Sequence, residues 1–344
     1  MNAAGRDLRG SRFVGLDLSG AVFDGCNLYG VVMYQCNLAN ASFRNVVFTG
    51  AVVGDCQVDG ADFADATING SGFDDDEVYS TRRLEISPEQ LISTRSYKIK
   101  DLSRCVICAS RAPPAYDFRR ANLRHALFLN GDFTKCDFSD ASLYDANFVN
   151  ATLAFEQLAS TADFRRRRFR IRLCPTQAIL TGDVNFSGID LDGSEFWNFS
   201  PDWDIAAARI NGCTFRGGLS KTQLCSTRSY KEGDLSRMEL ALCDLSDCRL
   251  ARINFTGARF GQCDFSGADL SDAVITGVDF YTTVNLQVSH GCAGLTPDQI
   301  RSTWNYKHDR MHGIALPEEV ANALSVTEPS RAKPGHEPQR LTAP

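Results

Sequence analysis

The sequence predicts an all-β solenoid whose chain turns a corner every five residues and closes a square coil every twenty. Three observations carry this. Large apolar residues stand at every fifth position from Leu8 to Phe73, from Phe118 to Leu153 and from Leu235 to Phe280. That period matches neither the 3.6 of a helix nor the 2 of a flat strand. A compact residue precedes each centre by two positions, as in Ala21, Cys26, Val31, Cys36 and Ala41, or Cys243, Cys248 and Ala258. Each unit therefore turns two side chains inward and three, mostly polar, outward. Finally, like falls on like at a spacing of twenty: Phe23, Phe43 and Phe63; Phe118 and Phe138; Phe260 and Phe280. Four sides per coil place these phenylalanines in a stacked core, successive coils lying one strand spacing apart, about 4.8 Å.

The polar and cysteine content follows from that frame. Nine of the 13 cysteines occupy the compact inward position: Cys26, Cys36, Cys56, Cys105, Cys136, Cys213, Cys243, Cys248 and Cys263. There a thiol acts as a small hydrophobe. Cys105 and Cys108 form a lone CxxC, short of the four ligands of a structural zinc site. His308 and His312 are four apart without a third ligand. No metal and no cofactor are expected. Outward Asp residues recur with the repeat, so neighbouring carboxylates carry no catalytic signal. Phosphate-binding loops, dinucleotide fingerprints and nucleophile elbows are absent, and no catalytic residue is assigned.

Cys263-Asp264-Phe265-Ser266-Gly267, Ala61-Asp62-Phe63-Ala64-Asp65 and Ala268-Asp269-Leu270-Ser271-Asp272 resemble the pentapeptide repeat, with its pattern of small, Asp or Asn, Leu or Phe, polar, Gly. The resemblance implies a right-handed quadrilateral β-helix. It implies little about activity.

Four related segments interrupt the repeat, near residues 87–98, 155–165, 220–231 and 296–307. Their glutamines, Gln90, Gln157, Gln223 and Gln299, are 67, 66 and 76 residues apart. Ser87, Ser220 and Thr296 followed three residues later by Gln make capping boxes, and Pro88 and Pro297 suit a first helical position. Each segment thus reads as one helix of about two turns, docked through Leu91, Leu224, Ile300 and the tyrosines at 97, 230 and 306. The second copy has Ala154 where a cap should stand, so it is expected to deviate. Similar segments resemble those of some large bacterial members of the family. If each interruption replaces two sides of a coil, the copies recur along one edge and Arg95, Arg228 and Arg301 face out as a row.

The domain reading is one solenoid over 1–325, with uninterrupted runs at 6–75, 116–155 and 233–282, a cap helix at 317–325 and a disordered tail at 326–344. With 43% hydrophobic residues the chain can build a core. No apolar stretch is long enough to cross a membrane, and residues 1–10 lack a secretory core. A cytoplasmic protein is expected. The sharpest charge feature is Arg165, Arg166, Arg167, Arg168, Arg170 and Arg172, a candidate interaction surface for an acidic partner. The opposite feature is Asp74-Asp75-Asp76-Glu77. The functional expectation is a non-enzymatic protein-binding scaffold that contacts no nucleic acid directly, with a homodimer through an uncapped solenoid end. Two alternatives are weighed. One is protection of a DNA topoisomerase by mimicry of DNA, suggested by a net charge of −7 over residues 1–80. The other is a secreted bacterial effector.

Overall fold

The computed structural model describes residues 1–70, 86–108, 115–174, 178–280 and 291–326. Phe73, the acidic run 74–77, His290 and the tail from 327 lie outside the described residues. The chain divides into two compact units, Met1–Leu240 and Ala241–Pro344.

In the first unit the coil has four sides and twenty residues per turn. Parallel bridges join Asn2, Val22, Ser42 and Asp62 on side one, Asp7, Asn27, Val47 and Thr67 on side two, and Asp17, Asn37 and Gln57 on side four. Side three is a parallel sheet with Arg12, Val32 and Val52 in register. The corners explain the fifth position. Every fifth residue from Gly5 to Gly70 has a positive φ, between 51° and 71°, a region open to Gly and tolerated by Asn and Asp. The outward Asp or Asn serves the same corner. Asp17 Oδ1 accepts from Ser19 N–H at 3.0 Å and Asp62 Oδ1 from Ala64 N–H at 2.9 Å. That bond suits Asp or Asn at the position, and at Asp17 the hydroxyl and backbone of Ser19 hold the carboxyl below its usual pKa.

The core is the expected ladder. Phe23 and Phe43 stack with centroids 5.1 Å apart and planes 3° apart, and Phe43 and Phe63 at 5.2 Å and 16°. Phe118 stacks on Phe138 at 5.3 Å, and Phe128 on Phe148 at 4.6 Å. Of the nine inward thiols, eight are buried and Cys56 is half-buried. Some donate to carbonyls of the neighbouring coil, Cys26 Sγ to Ala3 at 2.9 Å and Cys213 Sγ to Leu191 at 3.0 Å, and others to the carbonyl two residues earlier, as Cys36 Sγ does to Tyr34 at 3.5 Å. Burial pushes the Cys136 thiol up to about 11. A bulky thiol reagent should therefore label the native protein slowly at these positions and rapidly after denaturation. Mass spectrometry of timed samples checks this, and fast native labelling of Cys36 or Cys248 would contradict it.

Each interruption is two short helices rather than one. They are α1 (Pro88–Ser93) and α2 (Arg95–Lys98), α3 (Phe155–Ala159) and α4 (Ala162–Arg165), and α5 (Lys221–Ser226) and α6 (Arg228–Lys231) in this unit. The break falls at a buried threonine. Thr94, Thr161 and Thr227 adopt extended ψ near 155°, closing one helix and opening the next. Thr94 Oγ1 donates to Leu91 O at 2.7 Å and accepts from Tyr97 N–H at 3.1 Å, and the other two repeat both bonds. One hydroxyl thus caps both helices.

Docking uses polar side chains as well as the buried Leu91, Leu158 and Leu224. Gln90 Oε1 accepts from Ser87 N–H, while Nε2 donates to Val58 O and Ala61 O of the preceding coil, both at 2.9 Å. Gln157 does the same to Phe133 O and Cys136 O. The second residue of each second helix, buried, accepts from the coil below: Ser96 from Ile68 N–H, Asp163 from Leu143 N–H, Ser229 from Ile210 N–H. Tyr97 is half-buried, its hydroxyl accepting from Asp117 N–H at 2.9 Å. The second copy deviates less than its missing cap suggests. Ala154 makes no side-chain cap, and α3 starts directly from the strand Ala146–Ala154 one residue short, but Gln157 Oε1 still accepts from Ala154 N–H at 2.9 Å.

α1, α3 and α5 lie on one side of this unit. Each covers side one, Ser93 O accepting from Asp65 N–H, Ser160 O from Asp140 N–H and Ser226 O from Ala207 N–H. They lead into Leu102, Phe169 and Leu235 on side two. Bridges and backbone bonds count three coils from Leu102 to Phe169, through Leu123 and Leu143, and three from Phe169 to Leu235, through Leu191 and Ile210. The copies therefore recur about 14 Å apart. The helix takes one side of its coil, not the expected two.

The second unit repeats the coil, with bridges from Asp244 to Asp264, Arg249 to Asp269 and Asn254 to Val274. Phe260 stacks on Phe280 at 5.4 Å. α7 (Pro297–Ser302) and α8 (Trp304–Lys307) meet at Thr303, and Gln299 Nε2 donates to Phe265 O and Ala268 O. Ile300 is buried. α9 (Glu318–Val326) packs on α7 with Val320 and Leu324 buried. Leu242, exposed, holds a corner at φ 59°. A leucine there carries strain of roughly 1 kcal/mol, so Leu242→Asn should raise stability by about 0.5–1 kcal/mol in urea unfolding.

Candidate interaction surface

The arginine run leaves α4 and enters the strand Ile171–Cys174, and the strand period sorts its side chains. Phe169 and Ile171 are buried. Arg165, Arg166, Arg167 and Arg168 are exposed, Arg170 and Arg172 half-buried. The six fall into two groups. Arg165 pairs with Asp140 across the corner. Arg170 Nε and Arg172 Nε lie 3.1 and 3.0 Å from Asp145, whose other oxygen is 3.2 Å from His125 Nδ1. Arg172 also reaches Glu195 at 3.6 Å. Arg166, Arg167 and Arg168 make no ion pair among the described residues. Among the described residues, three of the six candidate arginines are thus tied to carboxylates of the frame and three are not.

The other candidates separate. Arg95 opens α2, exposed and without an ion pair among the described residues. Arg228 opens α6 at the same register, with Nε 2.7 Å from Glu232. Arg301 is a correction. It stands on α7 in register with Ile92 and Cys225 and pairs with Asp298 at 2.7 Å, and Trp304 holds the register of Arg95. Arg301 therefore does not hold the helix position that Arg95 and Arg228 share. The last residue of each second helix has its own task. Lys98 and Arg165 pair with the corner residues Asp65 and Asp140, as Lys307 does with Asp272 in the second unit. Where the corner is Ala207, Lys231 instead donates to Ser226 O at 2.8 Å.

A cleft of about 310 Å³ opens beside the run on side two, lined by Tyr144, Arg168, Phe169, Arg170, Asp190, Asp192, Gly193, Gly212 and Arg237. Its carboxylates face arginines; Arg237 Nη2 lies 3.3 Å from both oxygens of Asp192. His308 stacks on Trp304 at 4.4 Å and meets its carbonyl at 2.7 Å. Among the described residues no group of His, Cys, Asp or Glu converges as a metal site, and no helix is long and apolar enough to cross a membrane.

Square coils, left-handed corners and stacked apolar centres define a right-handed quadrilateral β-helix. The chain carries pentapeptide repeats: the family model Pentapeptide repeats matches it in eight copies, over residues 5–38, 26–65, 117–153 and 243–280. No curated protein matches. Among solved structures the chain is similar to HetL, a pentapeptide repeat protein involved in heterocyst differentiation regulation from the cyanobacterium Nostoc sp. strain PCC 7120. Identity is 17%, covering 80% of this chain and 87% of that chain, with a TM-score of 0.18. It is also similar to full-length QnrB1, a plasmid-mediated fluoroquinolone resistance protein, at 13% identity over 93% of this chain and 98% of that one, TM-score 0.17. The fold assignment rests on the pairing of this chain's own coils, not on these likenesses.

Proposed function

We propose that the chain is a non-enzymatic scaffold that binds other proteins, with Arg166, Arg167 and Arg168 as a contact surface. The observation that carries this is their lack of any ion pair among the described residues, beside neighbours that are all tied to carboxylates. Guanidinium groups held out from a regular frame favour acidic protein surfaces. The outward aspartates of the coil supply corner bonds rather than acid–base pairs, which supports a binding role over catalysis. The DNA-mimic alternative loses ground. Asp7 and Asp62 are paired with Arg9 and Arg44.

The test is affinity capture from the source cell with the full chain and with a variant carrying Arg166→Glu, Arg167→Glu and Arg168→Glu. Partners retained by the parent and lost by the variant are expected. Identical captures would defeat the surface. In parallel, added protein should leave gyrase supercoiling unchanged at micromolar concentration; inhibition or protection would favour the alternative.

A further inference from the structure

The cleft on side two gathers arginines and aspartates around one opening. Arg168, Arg170 and Arg237 face Asp190 and Asp192 there, an excess of one cation before Arg167 is added. Corner glycines make room for the guanidinium groups. A Cβ on Gly193 would come within 3.1 Å of Arg170 Nη1, and one on Gly188 within 3.1 Å of Arg167 Nη1. These arginines lie against bare backbone, which any side chain at those corners would displace. Two are positioned by carboxylates, Arg170 by Asp145 and Arg237 by Asp192. Arg168 has no ion pair among the described residues. Beside the cleft, Arg124 sits 4.7 Å over the Tyr144 ring.

The ligand chemistry follows from this arrangement. Planar guanidinium forks match the oxygens of a phosphoryl group and bind it more strongly than neutral acceptors. The basic excess is local. Asp101, Asp190 and Asp234 interleave with arginines along the same side, and the chain carries −6 overall. A long polyanion would meet Asp101 and Asp234 in addition to the cleft's own Asp190 and Asp192, whereas a single compact dianion meets only the latter two, which the three cleft arginines outnumber. We propose that the cleft between Arg168 and Arg237 binds a phosphoryl group carried on a side chain of a partner protein. This rests on the reading of the chain as a protein-binding scaffold, and it names the partner's chemistry.

The test uses the full chain and four probes: inorganic phosphate by calorimetry, and by fluorescence anisotropy a labelled Gly-Ser peptide with one phosphoserine, the same peptide unmodified, and a short single-stranded oligonucleotide. At physiological ionic strength the phosphopeptide should bind at least about 10-fold more tightly than its unmodified form. The pair Arg168→Gln and Arg237→Gln should remove that preference, while Arg9→Gln, outside the cleft, should keep it. Both cleft arginines are exposed, and an unchanged melting temperature confirms that the variant folds. Failure of both phosphate and phosphopeptide to bind, or binding unaffected by the double variant, overturns the proposal. Tighter binding of the oligonucleotide than of the phosphopeptide, lost in the double variant, would replace it with a nucleic-acid site. If capture of a protein partner still depends on Arg166–Arg168 while the phosphate probes fail, this proposal falls and the scaffold reading stands.

Discussion

Phe43→Ala is expected to lower stability by about 3–5 kcal/mol, the range for truncating a fully buried phenylalanine. Phe43 is 0% exposed and lies between Phe23 and Phe63, with Phe48 tilted against it at 5.2 Å. Removing the ring leaves a cavity that neighbouring coils cannot close, because their spacing is fixed by backbone bonds such as Phe43 N–H to Asp62 O at 2.8 Å. Phe43→Leu should cost about 1 kcal/mol, since leucine fills the same kind of position at Leu123 and Leu143 and swaps of similar volume are tolerated best. Urea midpoints of the three proteins check the order. Equal midpoints for Phe43→Ala and the parent would sink the twenty-residue stack.

The coil was legible because its inward positions demand only size and polarity, and every unit repeats the demand. Phe23, Phe43 and Phe63 announce one another without knowledge of any partner. The helix pairs were only half legible. The capping boxes pointed to Ser87, Ser220 and Thr296, yet the second bond of each glutamine goes to a carbonyl more than twenty residues away. A local rule cannot see it. One signal was present in the four copies: Thr94, Thr161, Thr227 and Thr303, each four residues after the glutamine, followed two residues on by Ser96, Asp163, Ser229 and Asn305. A threonine kept at that spacing marks a break that serves two helices. Aligning the copies on it would also have put Trp304, not Arg301, beside Arg95. The arginine run stood out as charge, but Asp140 and Asp145, on the preceding coil, decide which arginines are occupied. Sequence distance hides that choice, since the coil brings residues about twenty apart into contact.

The glutamine brackets give the second large effect. Gln223 Nε2 lies within 3.1 Å of three carbonyl oxygens, those of Ser200, Pro201 and Trp203, and Oε1 accepts from Ser220 N–H at 3.1 Å. The side chain is 8% exposed. Gln223→Leu keeps the volume but strips these groups of their partner where water has little access. An unsatisfied buried polar group costs about 1–3 kcal/mol, so a total loss of about 2–4 kcal/mol is expected after partial relaxation. Gln223→Glu separates the two halves of the bracket. It keeps an acceptor for Ser220 N–H but turns a carboxylate oxygen toward the carbonyls, so at neutral pH it should cost at least as much as leucine. Below about pH 4 a protonated Glu regains one donor, and part of the loss should return. The sign follows from the site: carbonyl neighbours and burial raise the carboxyl pKa in the folded state, so the destabilisation grows as pH rises through the unfolded value. Urea unfolding at neutral and acidic pH, with the parent beside each variant, reads the difference. If Gln223→Leu unfolds at the parent's midpoint, α5 is held by Leu224 alone and the polar bracket contributes nothing.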